Sequence, residues 1–451
     1  MSDFSAGFAR VDVTPPLGIS INGYFFDRFA DGVLDPLEAN AVAFSCSGER
    51  ALVLALDNCE IDQDTMDGFR RRISADCGLK EEAIFLHTTH THVAPFVGHD
   101  AVEKTKHGEP EYEAYLARKL STAAALALDD LSPARLGWAV GQAPGISFLR
   151  RFRMKDGSIQ TNPGVGNPDI AEPIGTVDER VNVLRLVRDG APEIVIANFG
   201  VHPDTVGGCK LTADYPGFFR RTLEAALPGT RAVFFNGAQG DVNHVNVSAK
   251  DGGMNGLEYQ EFDHVYRGYE HAAHMGRVLA GSVLQVFTKV NFITVSSLRS
   301  AQLTVELPSN MPSAEELVTA NRYVALHSAG RDCDIPFRGM ELTTAVAEAI
   351  RMKQLEHGPA AFPIRLSAVA VGPIAFLGIP GEPFTGVGLA IKVGSPFTLT
   401  LPCCLTNGSE GYFPMQEAYD EGGYEARSSC FRPGVAEILA KKSLELLQSL
   451  H

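Results

Sequence analysis

The stretch FLHTTHTHVAP, Phe85 to Pro95, ends an apolar run with three of the chain's thirteen histidines inside six positions. With residues 83–86 as a buried strand, extended backbone beyond it puts His90 and His92, two apart, on one face. Two imidazoles then point into one space. The rest of the chain is read for what could meet them.

At 451 residues the chain exceeds a usual single core, so it forms two domains or one large α/β domain. A hydrophobic fraction of 45% with 21% charged residues is ordinary globular composition. No segment has the apolar length of a membrane span. The opening residues MSDFSAGFARVDV carry neither a basic n-region nor an apolar core, so no secretory signal is expected. A formal charge of -15 argues against nucleic-acid binding, which needs a basic footprint. Eight scattered cysteines without a C-x-x-C pair read as reduced thiols of a cytoplasmic protein. Adjacent Cys403 and Cys404 read as small buried residues at a strand end.

Along the chain, apolar runs alternate with helical patterns, the signature of a layered α/β fold. Strands are expected over 39–44, 51–56, 83–86, 135–140, 181–186, 193–198, 231–235, 364–371, 374–378 and 397–401, and a half-solvated run over 292–307. Helices are expected over 62–77, stopped by Gly78, and over 109–130, 214–227, 266–287, 314–327, 342–357 and 435–450. Asp156-Gly157 marks a hairpin turn. The expected architecture is a mixed β-sheet core with helices on its faces, a helical cap at about 310–360, and the site at strand ends. No repeat, low-complexity tract or linker divides 1–451.

Loops beyond strand ends carry function on a rigid scaffold, and here they are rich in reactive residues. Asp57 ends one apolar run and either orients a metal-bound histidine or caps the next segment. His202 follows another strand in FGVHP, and NGAQGDVNHVN supplies Gln239, Asp241, Asn243 and His244. Glu382 lies in IPGEPF and Tyr412 in TNGSEGYFPMQEAYDEGGYE. Among Arg150, Arg151 and Arg153, one suits an anionic or carbonyl oxygen and two read as solvated. His271 and His274 read as a helix face. Two histidines and a glutamate suffice for zinc, which takes about four N and O ligands at ~2.0–2.2 Å and lowers the pKa of bound water to roughly 7. H-x-H alone is a weak signal, and the metalloprotease pattern H-E-x-x-H is absent.

Taken in order, DVTPPLG, THTHVAP, FGVHP, NGAQGDVN, IPGEPF and TNGSEGYFPMQEAYDEGGYE resemble the catalytic domain of the neutral (non-lysosomal) ceramidase family, from about Phe8 to Arg427. The resemblance implies one Zn2+ ion held by His90, His202, Glu382 and Tyr412. It implies His92 as a contact of the reacting group, with Tyr424 and Arg150 lining the pocket. Two departures stand out. The family's essential serine is matched by Asn243, which can donate to an oxyanion but is neither nucleophile nor proton shuttle; His92, Tyr424 or Asp241 would then handle protons. Neither the family's C-terminal β-sandwich nor its secretory signal is expected here.

The leading expectation is therefore a soluble zinc hydrolase cleaving an amide, ester or related bond of a small polar substrate, in the manner of a carbohydrate derivative. One alternative retains the site but acts on ceramide or another N-acyl lipid; another is a non-catalytic binding homologue, favoured by Asn243. An amidohydrolase-type barrel also uses H-x-H, but on its first strand, and here an apolar strand precedes it. A small-molecule substrate, no nucleic acid and no membrane insertion are expected, with homo-oligomerisation left open.

Overall fold

The apolar runs become strands because both of their faces are covered. Side chains alternate across a strand. In Glu38–Cys46, Ala41 and Ala43 enter one core while Val42 and Phe44 enter another. Glu49–Leu56 divides the same way, Leu52 and Leu54 against Val53 and Ala55. Such strands show no polar alternation, and this is why they read as continuous runs.

The structure, a computed structural model, describes residues 3–99, 108–248 and 268–451. Its first sheet runs Thr230–Asn236, Glu193–Phe199, Arg180–Arg188, Ser132–Gln142, Ser5–Asp12, Glu38–Cys46, Glu49–Leu56, Ile84–Thr88, with Asn291–Ile293 also pairing Ser132–Gln142. The pairs at its two ends are parallel and the described pairs between them antiparallel. A second sheet, Leu298–Pro308, Ala361–Val371, Ile374–Gly378, Leu399–Cys403, packs on it through a common core. Phe85, Phe235 and Phe376 form an edge-to-face triad at the centre, with ring centroids 5.6 to 6.3 Å apart.

Helices cover the outer faces. Gln63–Cys77 and Pro110–Asp129 pack on one half of the first sheet and Asp214–Ala226 with Tyr269–Val286 on the other. Thr385–Gly394 and Val435–Leu450 cover the second sheet. The expected α/β core with a mixed sheet and helices on its faces is thus present, as four layers. Helix Gln63–Cys77 begins where the Asp62 side chain accepts from Thr65 N–H and ends at Gly78 in the left-handed region, φ 65°.

Three local expectations change. The run over 292–307 is two strands in different sheets, Asn291–Ile293 and Leu298–Pro308, and the chain passes from one layer to the other between them. The helix expected over 266–287 spans Tyr269–Val286, with Tyr266 outside the described residues. Asp57 takes neither expected role: its carboxylate holds the buried Arg220 guanidinium at 2.5 and 3.0 Å. Helices Ala314–Ser328 and Gly339–Leu355 form a pair, and Arg427 in the Tyr424–Ser428 turn donates to Glu348 on the second of them. No described helix is long and apolar enough to cross a membrane.

Edge strands Ile84–Thr88 and Thr230–Asn236 lie at opposite ends of the strand order, yet they meet. His87 Nε2 accepts from Asn236 N–H at 2.9 Å, and the Asn236 amide donates to Thr89 O at 3.3 Å. The sheet therefore curls, bringing the loops after both strands to one place. That place is the site.

Candidate metal centre

The turn after Ile84–Thr88 is pinned by its backbone. His90 N–H donates to Asn58 O at 2.8 Å and Thr89 N–H to Leu56 O at 2.9 Å. The Thr91 hydroxyl donates to Thr212 O at 2.7 Å. His90 adopts φ 76°, a conformation that a non-glycine residue holds at a cost of about 1–3 kcal/mol. This turn swings the imidazole into the space between the sheets' strand ends.

Four side chains converge there. His90 Nε2 lies 3.1 Å from His202 Nε2, 3.2 Å from His92 Nε2 and 3.3 Å from Glu382 Oε2. Glu382 Oε2 is also 3.7 Å from His202 Nδ1. His90, His202 and Glu382 are all buried and offer ligand atoms within 4.8 Å of one another. Bare nitrogens at such distances repel, so the cluster needs a proton or a cation among them. His90 Nδ1 lies 3.0 Å from Cys59 O and donates to it, which leaves Nε2 as the bare nitrogen facing the others. This donor set, imidazole nitrogens with one carboxylate in a buried pocket, fits a divalent ion such as zinc.

The charged groups of the cluster shift one another. Burial lowers the His90 pKa, but the Glu382 carboxylate overrides it and the net shift is well above the ordinary value. Burial raises Glu382, but His90 pulls it below the usual carboxylate range. His202 is held well below its ordinary value by burial and then by Arg150 and its two histidine neighbours.

Arg150 stands behind His202, its Nη1 at 3.5 Å from Nδ1. Its other donors are engaged: Nε bonds Glu425 at 2.6 Å and Nη2 bonds Gly240 O at 2.7 Å. Its guanidinium lies 5.4 Å from the Tyr412 ring centroid. Tyr412 is set beside Glu382 by the pairing of Glu382–Pro383 with Tyr412–Phe413, and the Tyr424 ring is 5.6 Å from that of Tyr412. Burial first, and Glu382 next, push Tyr412 well above the usual phenol range.

Asp241 and Asn243 belong to a different set of contacts. Asp241 Oδ1 accepts from the Thr385 N–H and hydroxyl at 2.7 and 2.8 Å, where helix Thr385–Gly394 begins. The Asn243 amide donates to Asn162 Oδ1 at 2.8 Å, and its Oδ1 accepts from Val245 N–H at 3.0 Å. His87 donates from Nδ1 to Cys404 O at 2.7 Å and is no part of the cluster. Of the other two arginines, Arg151 pairs with Glu421 at 2.9 Å and Arg153 with Glu172 at 3.1 Å.

Gln239, from the polar loop, reaches the cluster: its amide donates to Glu382 Oε2 at 3.1 Å. Glu425 is fully buried against Arg150 and accepts from Thr161 at 3.0 Å. Asp204, two residues after His202, faces His92. Of these, Asp204 is the one that the sequence did not single out; its place two residues beyond His202 was the available signal.

No protein-family model matches the chain, and no curated protein matches it by sequence. Solved structures do. The crystal structure of neutral ceramidase from Pseudomonas aeruginosa superposes with a TM-score of 0.75 at 17% identity, covering 100% of this chain and 75% of that one. A ceramidase complexed with C2 gives 0.74 at 16% identity, with the same coverage. The chain has a neutral ceramidase-like fold.

Proposed function

We propose that this protein is a zinc-dependent hydrolase that cleaves an amide, ester or related bond of a small polar substrate. The observation that carries the reading is the convergence of His90, His202 and Glu382 on one buried point, with His92 beside them. One ion is assigned to His90, His202 and Glu382, with Tyr412 as the fourth ligand. A divalent ion there would polarise a carbonyl oxygen and lower the pKa of bound water to roughly 7.

The chain's own groups supply the rest. Gln239 holds Glu382 in place through Oε2. Arg150, braced by Glu425, sets the position of His202 and the Tyr412 ring. His92 Nε2 faces the reacting group and holds or moves a proton there, and Tyr424, its ring against that of Tyr412, is assigned to the pocket lining. Asn243, tied to Asn162, shapes the wall and takes no proton. Helices Ala314–Ser328 and Gly339–Leu355 are assigned as a cap, and the free thiols fit a cytoplasmic setting.

A second reading has an observation of its own. Phe26 and Phe29, 62% and 58% exposed, lie on the loop that carries Tyr24 to His92 and would suit an acyl chain. The test is turnover by the zinc-loaded protein of water-soluble N-acyl and O-acyl substrates, N-acylated sugars included, beside N-acyl sphingosine. Hydrolysis of the soluble set, lost in His90→Ala, is expected. Cleavage of N-acyl sphingosine alone would establish the lipid reading, and no cleavage of anything would remove both.

A further inference from the structure

His92 is held from three sides by groups outside the metal cluster. Gly23 lies on its ring with φ +104°, and a Cβ there would stand 2.7 Å from His92 Nδ1 and 2.8 Å from Cγ. Only glycine lets the backbone approach that closely. Next to it, the Tyr24 ring is 5.9 Å from that of His92, and its hydroxyl donates to Asp204 Oδ1 at 2.7 Å. Arg28 then donates to His92 O at 2.6 Å and stacks on the Tyr24 ring at 3.9 Å. Residues 22–28 thus clasp one histidine.

The clasp is electrostatically one-sided. Asp204 Oδ1 stands 3.7 Å from His92 Nδ1, while Nε2 is 3.2 Å from His90 Nε2 on the far edge of the ring. A carboxylate facing one imidazole nitrogen favours the tautomer that carries its proton there. The distance is that of a charge–dipole contact. The Tyr24 hydroxyl fixes the oxygen concerned, and the Asp204 side chain is 17% exposed, little screened by water.

We propose that Asp204, set by Tyr24, is a positioning residue that holds His92 as the Nδ1–H tautomer, with Nε2 bare and turned toward the cluster. In that form His92 enters the reaction as an acceptor, so the group it meets is a hydrogen-bond donor: an attacking water, or an N–H or O–H of the substrate. The consequence for catalysis rests on the hydrolase reading. The tautomer itself does not, and it can be measured on protein that turns over nothing.

The test is a long-range 1H–15N correlation spectrum of protein labelled with 15N-histidine, with and without Zn2+, His92 being assigned by its loss in His92→Gln. A pyrrole-type Nδ1 and a pyridine-type Nε2 are expected at His92. Asp204→Asn, close to isosteric, is expected to shift His92 toward the Nε2–H form, and Asp204→Glu to keep the original pattern. In an active preparation Asp204→Asn lowers kcat about 10- to 100-fold, with KM and metal content little changed. A protonated Nε2 in the unmodified protein, or an unchanged pattern in Asp204→Asn, overturns the proposal, even if thermal stability falls.

Discussion

His87 and His90 lie three residues apart, and both are buried, yet the regions they occupy do opposite things. At the end of Ile84–Thr88, His87 spends both nitrogens on backbone: Nδ1 on Cys404 O and Nε2 on Asn236 N–H. Burial holds its pKa down at about 3, so it is a neutral brace between strands. In the turn just beyond, His90 spends one nitrogen on Cys59 O and presents the other to two imidazoles and a carboxylate. Neither residue type nor burial separates the two. What separates them is whether the second nitrogen finds a backbone partner or a set of other ligand atoms.

That contrast is breakable by mutation. The largest effect is expected for His90→Ala, which removes a ligand from the proposed centre. Hydrolysis should fall by about 10³-fold, corresponding to about 4 kcal/mol of lost transition-state stabilisation, while a denaturant midpoint measured without metal moves little. His87→Leu should do the reverse. It strands a buried donor and a buried acceptor, at a cost of roughly 2–5 kcal/mol, read as an earlier urea midpoint. Bound metal per folded chain should be unchanged. If both variants lose metal alike, the distinction fails.

Protonation probes the brace more gently. His87 has a folded pKa near 3, below the ordinary 6.5, so between those values the unfolded chain binds the extra proton. Its contribution is fully present above pH 6.5 and is lost as pH falls toward 3. Stability should therefore decline from pH 6.5 to 5, and His87→Leu should flatten part of that slope. An identical slope in the variant would place the acid sensitivity elsewhere.

The smallest effect is expected at Asn243. Its side chain bonds Asn162 and closes a turn at Val245, so Asn243→Ser should cost about 1 kcal/mol of stability and change kcat by less than roughly threefold. A large gain in activity from that serine would show that this position is catalytic after all.

The same contrast shows what the chain discloses by itself. Strands covered on both faces announce themselves as apolar runs, and helix Gln63–Cys77 declares its ends through Asp62 and Gly78. The loops after those strands could then be gathered, and His90, His202 and Glu382 do meet. The passage from one sheet to the other between Ile293 and Leu298 left no mark, because a half-buried strand has the same period in either layer. Nor could Asp57 announce Arg220, or Arg150 announce Glu425, since each pair is joined only by the tertiary fold. His87 and His90 look alike in the sequence for the same reason.

In the proposed centre His90, His202 and Glu382 hold one divalent ion. The direct measurement is metal content by mass spectrometry, with calorimetric Zn2+ titration of the chelator-stripped protein, for the unmodified chain and for His90→Ala, Glu382→Gln and His87→Leu. About one zinc per chain is expected in the unmodified and His87→Leu proteins, and a loss of affinity of at least about 100-fold in the other two. Normal zinc content in both His90→Ala and Glu382→Gln would contradict it.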